Sequence, residues 1–144
     1  MGLTPEENNT IAVRFFDEAW NNGNFAVLDE LTTDDTLDHS TLHGQTEKGT
    51  ESFRQIITMF RTGFPDIHLT IEDEIYTGDR VVHRWTLRGT HTAPFMGIPP
   101  TNTKVEFTGT TIVRMEDGKL AERWSNVDMM RLLQQLGVVP PPPA

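Results

Sequence analysis

Ile11, Phe15, Phe16, Ala19 and Trp20 recur at helical spacing and lay one apolar stripe along the first predicted helix. Thr4-Pro5-Glu6-Glu7 opens it as a capping box, with Pro at the first helical position and acids in the first turn. Asn21-Asn22-Gly23-Asn24 closes it, because Gly and Asn accept the left-handed conformation that ends a helix. A short second helix is expected over 25–31. Residues 32–48 are polar and follow no period, so at most a short strand near Leu37 is expected there. Phe53, Ile56, Ile57 and Phe60 mark a third helix over 49–64, ended by Phe64-Pro65-Asp66.

From Ile67 the period changes from helical to alternating. Ile67, Leu69 and Ile71 alternate with polar residues, and Thr77-Gly78-Asp79 is a turn. Val81, His83, Trp85 and Leu87 share one face of the next strand, with Arg84, Thr86 and Arg88 on the other. A Pro-, Thr- and Gly-rich loop over 92–103 carries Phe95 and Met96. Val105 to Met115 alternates again, and Glu116-Asp117-Gly118-Lys119 makes a hairpin to a last strand from Leu120 to about Val127. Asp128 stands where it can cap a terminal helix closed by Gly137.

A sheet with one apolar face must be covered, and only the early helices are available to cover it. The pattern therefore predicts an α+β fold: N-terminal helices packed on a curved antiparallel sheet, forming a cone with a pocket at its mouth. One domain is expected over 1–137, followed by a Pro-rich tail over 138–144 that can neither pair in a sheet nor continue a helix.

Composition narrows the function. A formal net charge of -9 argues against nucleic acid and anionic membrane as partners, since both need clustered Lys and Arg. The absence of cysteine removes disulfides, thiolate nucleophiles and zinc–thiolate sites together. Met1 to Glu6 lacks the basic start and apolar run of a signal peptide, and no apolar stretch approaches the ~20 residues that span a bilayer. The expected location is cytoplasmic.

Gly89-Thr90-His91-Thr92, the run from Phe95 to Thr101, Arg114 with Asp117-Gly118-Lys119, and Leu133-Gln134-Gln135-Leu136-Gly137 stand in a recognisable order and spacing. So placed, the sequence resembles the SnoaL-like polyketide cyclases, which share a cone-shaped fold with nuclear transport factor 2 and ketosteroid isomerase. The resemblance implies ring closure on a polyketide ester by an intramolecular aldol reaction, with neither metal nor cofactor. It also implies a homodimer paired through the outer face of the sheet. The family's proton-removing Asp falls on Ser125, its His on Thr111, its Gln on Gly109, and its Asn within one residue of His39. Removing a proton next to a carbonyl needs a base within hydrogen-bond reach, and a neutral Ser is none. The ketosteroid isomerase pattern fits less, because Tyr76, the one tyrosine, lies beside a turn.

Several residues are candidates to supply what Ser125 lacks. His83, inward between Val81 and Trp85, is either the base or a core histidine. Asp128 is either a buried carboxylic acid or a helix N-cap. Arg123 shares a face with Ser125 and lines the pocket if the last strand is regular, ready to hold an enolate or carboxylate; a bulge would send Trp124 and Asn126 inward instead. His39 is a candidate pocket-mouth group. With His43 it makes an H-x3-H pair, but the segment lacks the helical period that would make a metal site of it. Trp85 and Thr111 are candidate substrate contacts, Phe95 and Met96 a candidate lid, and His91 either a contact or a tie between loop and sheet. Two functions fit: a cofactor-independent cyclase or isomerase acting on a small hydrophobic carbonyl compound, and a binding or oligomerisation module without chemistry.

Overall fold

The computed structural model describes residues 2–39 and 44–143. Helix α1 (Pro5–Phe15) is opened by the expected capping box, in which Thr4 Oγ1 accepts from the Glu7 backbone N–H and Glu7 Oε1 accepts from that of Thr4. The chain then widens into a π-helical stretch, Phe16–Asn21, rather than continuing as α-helix. Its extra residue per turn keeps Phe16, Ala19 and Trp20 all buried. Helices α2 (Ala26–Leu31) and α3 (Glu51–Gly63) follow, and α4 (Met129–Gln135) comes last.

Six strands form one sheet in the order β2-β1-β6-β5-β4-β3: β1 (Thr32–Asp38), β2 (Glu47–Lys48), β3 (His68–Thr77), β4 (Arg80–Thr90), β5 (Lys104–Glu116) and β6 (Lys119–Val127). The meander β3 to β6 is antiparallel, as the alternation predicts. β1 is longer than expected and pairs parallel to β6. No apolar period announces it, because its buried residues are themselves polar: Thr32, Thr36 and Asp38. Two of these find partners only in the folded chain. Thr32 donates to the Leu28 carbonyl, and Asp38 meets Arg123 and Ser52.

Register shifts steer the faces. One in β3 between Ile71 and Asp73 brings Glu74 opposite His83 and sends Ile75 outward opposite Val82. Another, between Arg114 and Met115 of β5, settles β6 with Arg123 opposite Val113 and Ser125 opposite Thr111. Arg123 and Ser125 therefore face inward, and Trp124 lies opposite the exposed Ile112.

Aromatic rings fill the cone between sheet and helices. Phe60 of α3 lies 5.0 Å from Phe95, 5.7 Å from Trp20 and 6.1 Å from Phe107 between ring centroids. Gly109 of β5 makes room for Trp85, since a Cβ there would lie 2.2 Å from Trp85 Cζ2 and 2.8 Å from the Asn126 carbonyl oxygen. Gly109→Ala is therefore expected to destabilise the protein by about 1–3 kcal/mol, measured by urea unfolding. Adding Trp85→Leu should recover only part of that loss, because the backbone contact persists. Among the described residues no helix is long and apolar enough to cross a membrane.

Candidate functional site

The inward residues of three neighbouring strands form a cross-strand row, His83 of β4, Thr111 of β5 and Ser125 of β6. Trp85 Nε1 donates to Thr111 Oγ1 at 2.9 Å, and Thr111 Oγ1 lies 2.9 Å from Ser125 Oγ. Beside this row is an internal cavity of about 20 Å³, room for one water molecule. Phe16, Trp20, Phe60 and Trp85 wall it, with Thr111 and Arg123 supplying its polar groups. A ligand enters this cone only if side chains move.

His83 is 1% exposed and packs against Phe16 at 5.2 Å. Asn9 Nδ2 donates to Glu74 Oε1 at 2.8 Å, which turns the Asn9 carbonyl oxygen toward His83 Nε2, also at 2.8 Å. That oxygen only accepts, so Nε2 carries the proton and Nδ1 keeps the lone pair. Burial pushes the imidazole down to about 4, against a smaller upward pull from Glu74. His83 is thus a neutral imidazole with one fixed tautomer. The link through Asn9 to Glu74 joins positions 9, 74 and 83, a relation invisible along the chain.

Arg123 is 5% exposed and Asp38 is fully buried; they pair in the β1–β6 register, with Nη1 donating to Asp38 Oδ1 at 3.1 Å. Ser52 Oγ of α3 donates to Asp38 Oδ2 at 2.6 Å, and the guanidinium lies 5.5 Å over the Phe53 ring. Burial pushes the guanidinium pKa down, opposed by the charge of Asp38. Sequence reasoning missed Asp38. The one signal was its place within one residue of the position the resemblance gives to an Asn.

Trp85, Thr111 and Arg123 line the cavity, His83 and Ser125 flank Thr111 on the neighbouring strands, and the other candidates lie apart. The β1 register that turns Asp38 inward sends His39 to the opposite face, where its ring stacks on Trp124 at 5.1 Å and its Nε2 meets Glu122 at 2.6 Å. His43 lies outside the described residues. Asp128 caps α4, accepting from the Arg131 N–H at 3.0 Å, and stands exposed on the rim of an outer groove of about 810 Å³. That groove is larger than the cavity but open, and its charges pair across it, Arg88 with Glu106 at 2.9 Å. His91 is buried, and its Nδ1 accepts from the Thr101 N–H at 3.2 Å, tying the loop over 92–103 to the sheet. Phe95 is buried against Phe60, Phe64 and Gly63, an anchor of that loop, while Met96 at its tip is 52% exposed. The inward set is therefore His83, Trp85, Thr111, Arg123 and Ser125.

Comparison with known proteins agrees with the fold. A family model described as SnoaL-like polyketide cyclase matches residues 10–136. The nogalonic acid methyl ester cyclase of Streptomyces nogalater is 28% identical over 120 residues, covering 83% of this chain and 90% of its own. Among solved structures, a protein of Jannaschia sp. CCS1 named after the SnoaL-like polyketide cyclases superposes with a TM-score of 0.86 at 25% identity, over 98% of each chain. IdmH of Streptomyces antibioticus gives 0.79 at 32% identity, over 90% of this chain and 99% of its own.

Proposed function

This chain belongs to the SnoaL-like polyketide cyclase family, and from that premise we propose that its cone binds a small hydrophobic carbonyl compound and moves a proton on it without a cofactor. His83 is the base. Its Nδ1 lone pair takes a proton from the carbon next to the carbonyl, the electron pair moves onto the oxygen, and Arg123 holds the charge that develops there. The protonated imidazole then returns the proton to the product. The carrying observation is the neutral, tautomer-fixed imidazole in one cross-strand row with Thr111, which lines the cavity together with the buried Arg123 guanidinium among aromatic and aliphatic side chains.

A second reading, a binding module without chemistry, is favoured by Ser125 standing where the resemblance calls for a carboxylate, and by a cavity with room for one water. Deuterium exchange separates the two. Aromatic ketones and polyketide-like methyl esters are incubated with the protein in D₂O and followed by NMR. Proton transfer predicts deuterium next to the carbonyl, slowed about 10²–10⁴-fold by His83→Ala. Binding without exchange would leave the module.

The same family resemblance supports a homodimer through the outer face of the sheet. Ile75, Val82, Ile112 and Trp124 form an apolar row there across β3, β4, β5 and β6, with Ile75 and Ile112 exposed. Ile112→Glu is expected to convert a dimer to a monomer in analytical ultracentrifugation, because it buries an unpaired charge at the contact.

A further inference from the structure

We propose that the Thr111 hydroxyl hydrogen and the unbonded N–H groups of Arg123 form a two-donor site for one oxygen of the ligand, with Trp85 and Ser125 holding Thr111 in place. The proposal rests on the reading of the cone as a binding site for a carbonyl compound.

Hydrogen counting carries it. The indole Nε1–H only donates, and it donates to Thr111 Oγ1. Thr111 and Ser125 share one further bond. Three hydrogens thus feed two bonds, and neither hydroxyl has another partner among the described residues. One hydroxyl hydrogen is left over. Either hydroxyl can donate in that bond; when Ser125 donates, the Thr111 oxygen accepts two bonds, its full capacity, and its own hydrogen is free for an entering acceptor. Thr111 is also the hydroxyl residue that lines the cavity.

Arg123 adds the second donor. Nη1 is its one nitrogen with an acceptor among the described residues, which leaves Nε and Nη2 unbonded in a side chain that lines the same cavity. The other lining residues, including Phe16, Ile56, Leu69 and Val127, offer no side-chain acceptor. These unused donors belong to residues lining a space that admits one small polar group, and an acceptor oxygen entering there completes their hydrogen bonds. Because Asp38 balances the Arg123 charge, the matching group is a neutral carbonyl, or an oxygen that acquires charge only during reaction. Gly109 belongs to the same device, since a Cβ there would occupy the place of the indole that heads the chain.

Acetophenone and ethylbenzene have nearly the same shape and differ in the carbonyl oxygen, so their affinities test the site. Both are titrated by calorimetry onto the wild-type protein, Thr111→Val, Thr111→Ser, and Leu69→Ala, which enlarges the cavity. The expected result is acetophenone bound about tenfold more tightly than ethylbenzene on wild type and Leu69→Ala, with its carbonyl stretch shifted to lower frequency. Thr111→Val should bring the two affinities within about twofold, and Thr111→Ser should restore the difference. The wild-type ratio and the carbonyl frequency need no variant, so a Thr111→Val chain that fails to fold leaves the test intact. Equal affinities on wild type and Leu69→Ala would overturn the donor site while leaving the cone a binding site. No binding of either compound to either protein would overturn both.

Discussion

Asp38→Ala is expected to destabilise the protein by about 3–5 kcal/mol, because it leaves the Arg123 guanidinium buried without its counter-charge. The variant also strips Ser52 of the acceptor it meets at 2.6 Å. Against a typical total stability of about 5–15 kcal/mol, that is a large share of the margin, and it unfolds a chain at the low end of the range. Urea unfolding at neutral pH measures it. The double variant Asp38→Ala with Arg123→Met should recover most of the loss, since an apolar replacement of both partners removes the stranded charge. A single-variant loss below about 1 kcal/mol would show that the pair is solvated and that β1 is not fixed by it.

The second large effect is a dependence of stability on acid. His83 is held at about 4 in the fold, against 6.5 for the free side chain. The folded value is the lower one, so as pH falls below 6.5 the unfolded chain takes up the proton first and is favoured. Stability is therefore lost progressively between pH 6.5 and about 4, by roughly 3 kcal/mol, and the loss levels off below that window. His83→Gln can keep a donor toward Asn9 and has no proton to gain. Chemical unfolding at several pH values should give curves for the two proteins that converge with falling pH, and the change in their separation isolates the imidazole from the carboxylates titrating in the same range. A constant separation would place His83 in water-like surroundings and remove the case for a fixed neutral tautomer.

Both effects stand on groups that the sequence displays unequally. His83 was legible because it interrupts an alternating apolar face, and alternation alone sends it inward. Arg123 was legible only up to a choice of register, which the shift near Met115 decides. Asp38 was not legible. It lies in a segment with no apolar period, and its inward direction exists only because β1 lies parallel to β6 with Asp38 opposite Arg123, 85 residues away. Position along the chain puts His39 at the pocket mouth, yet neighbouring residues of a strand face opposite ways, so a shift of one residue sends it to the other side.

The sequence by itself determined the helices and the antiparallel meander they cover, though not the parallel edge strand β1, because capping, period and turn chemistry act within a few residues and survive without knowledge of the neighbours. Through the resemblance it pointed to the cone as the place to look, and to Ser125 as the position where the family carries its carboxylate. Tertiary structure alone decided what that cone contains. The place of the Trp85 indole follows from Gly109, the tautomer of His83 from Asn9 and Glu74, and the counter-charge of Arg123 from Asp38. Each of these is a contact between residues far apart in sequence, set by strand order and register, and no local pattern encodes a partner that only folding brings near.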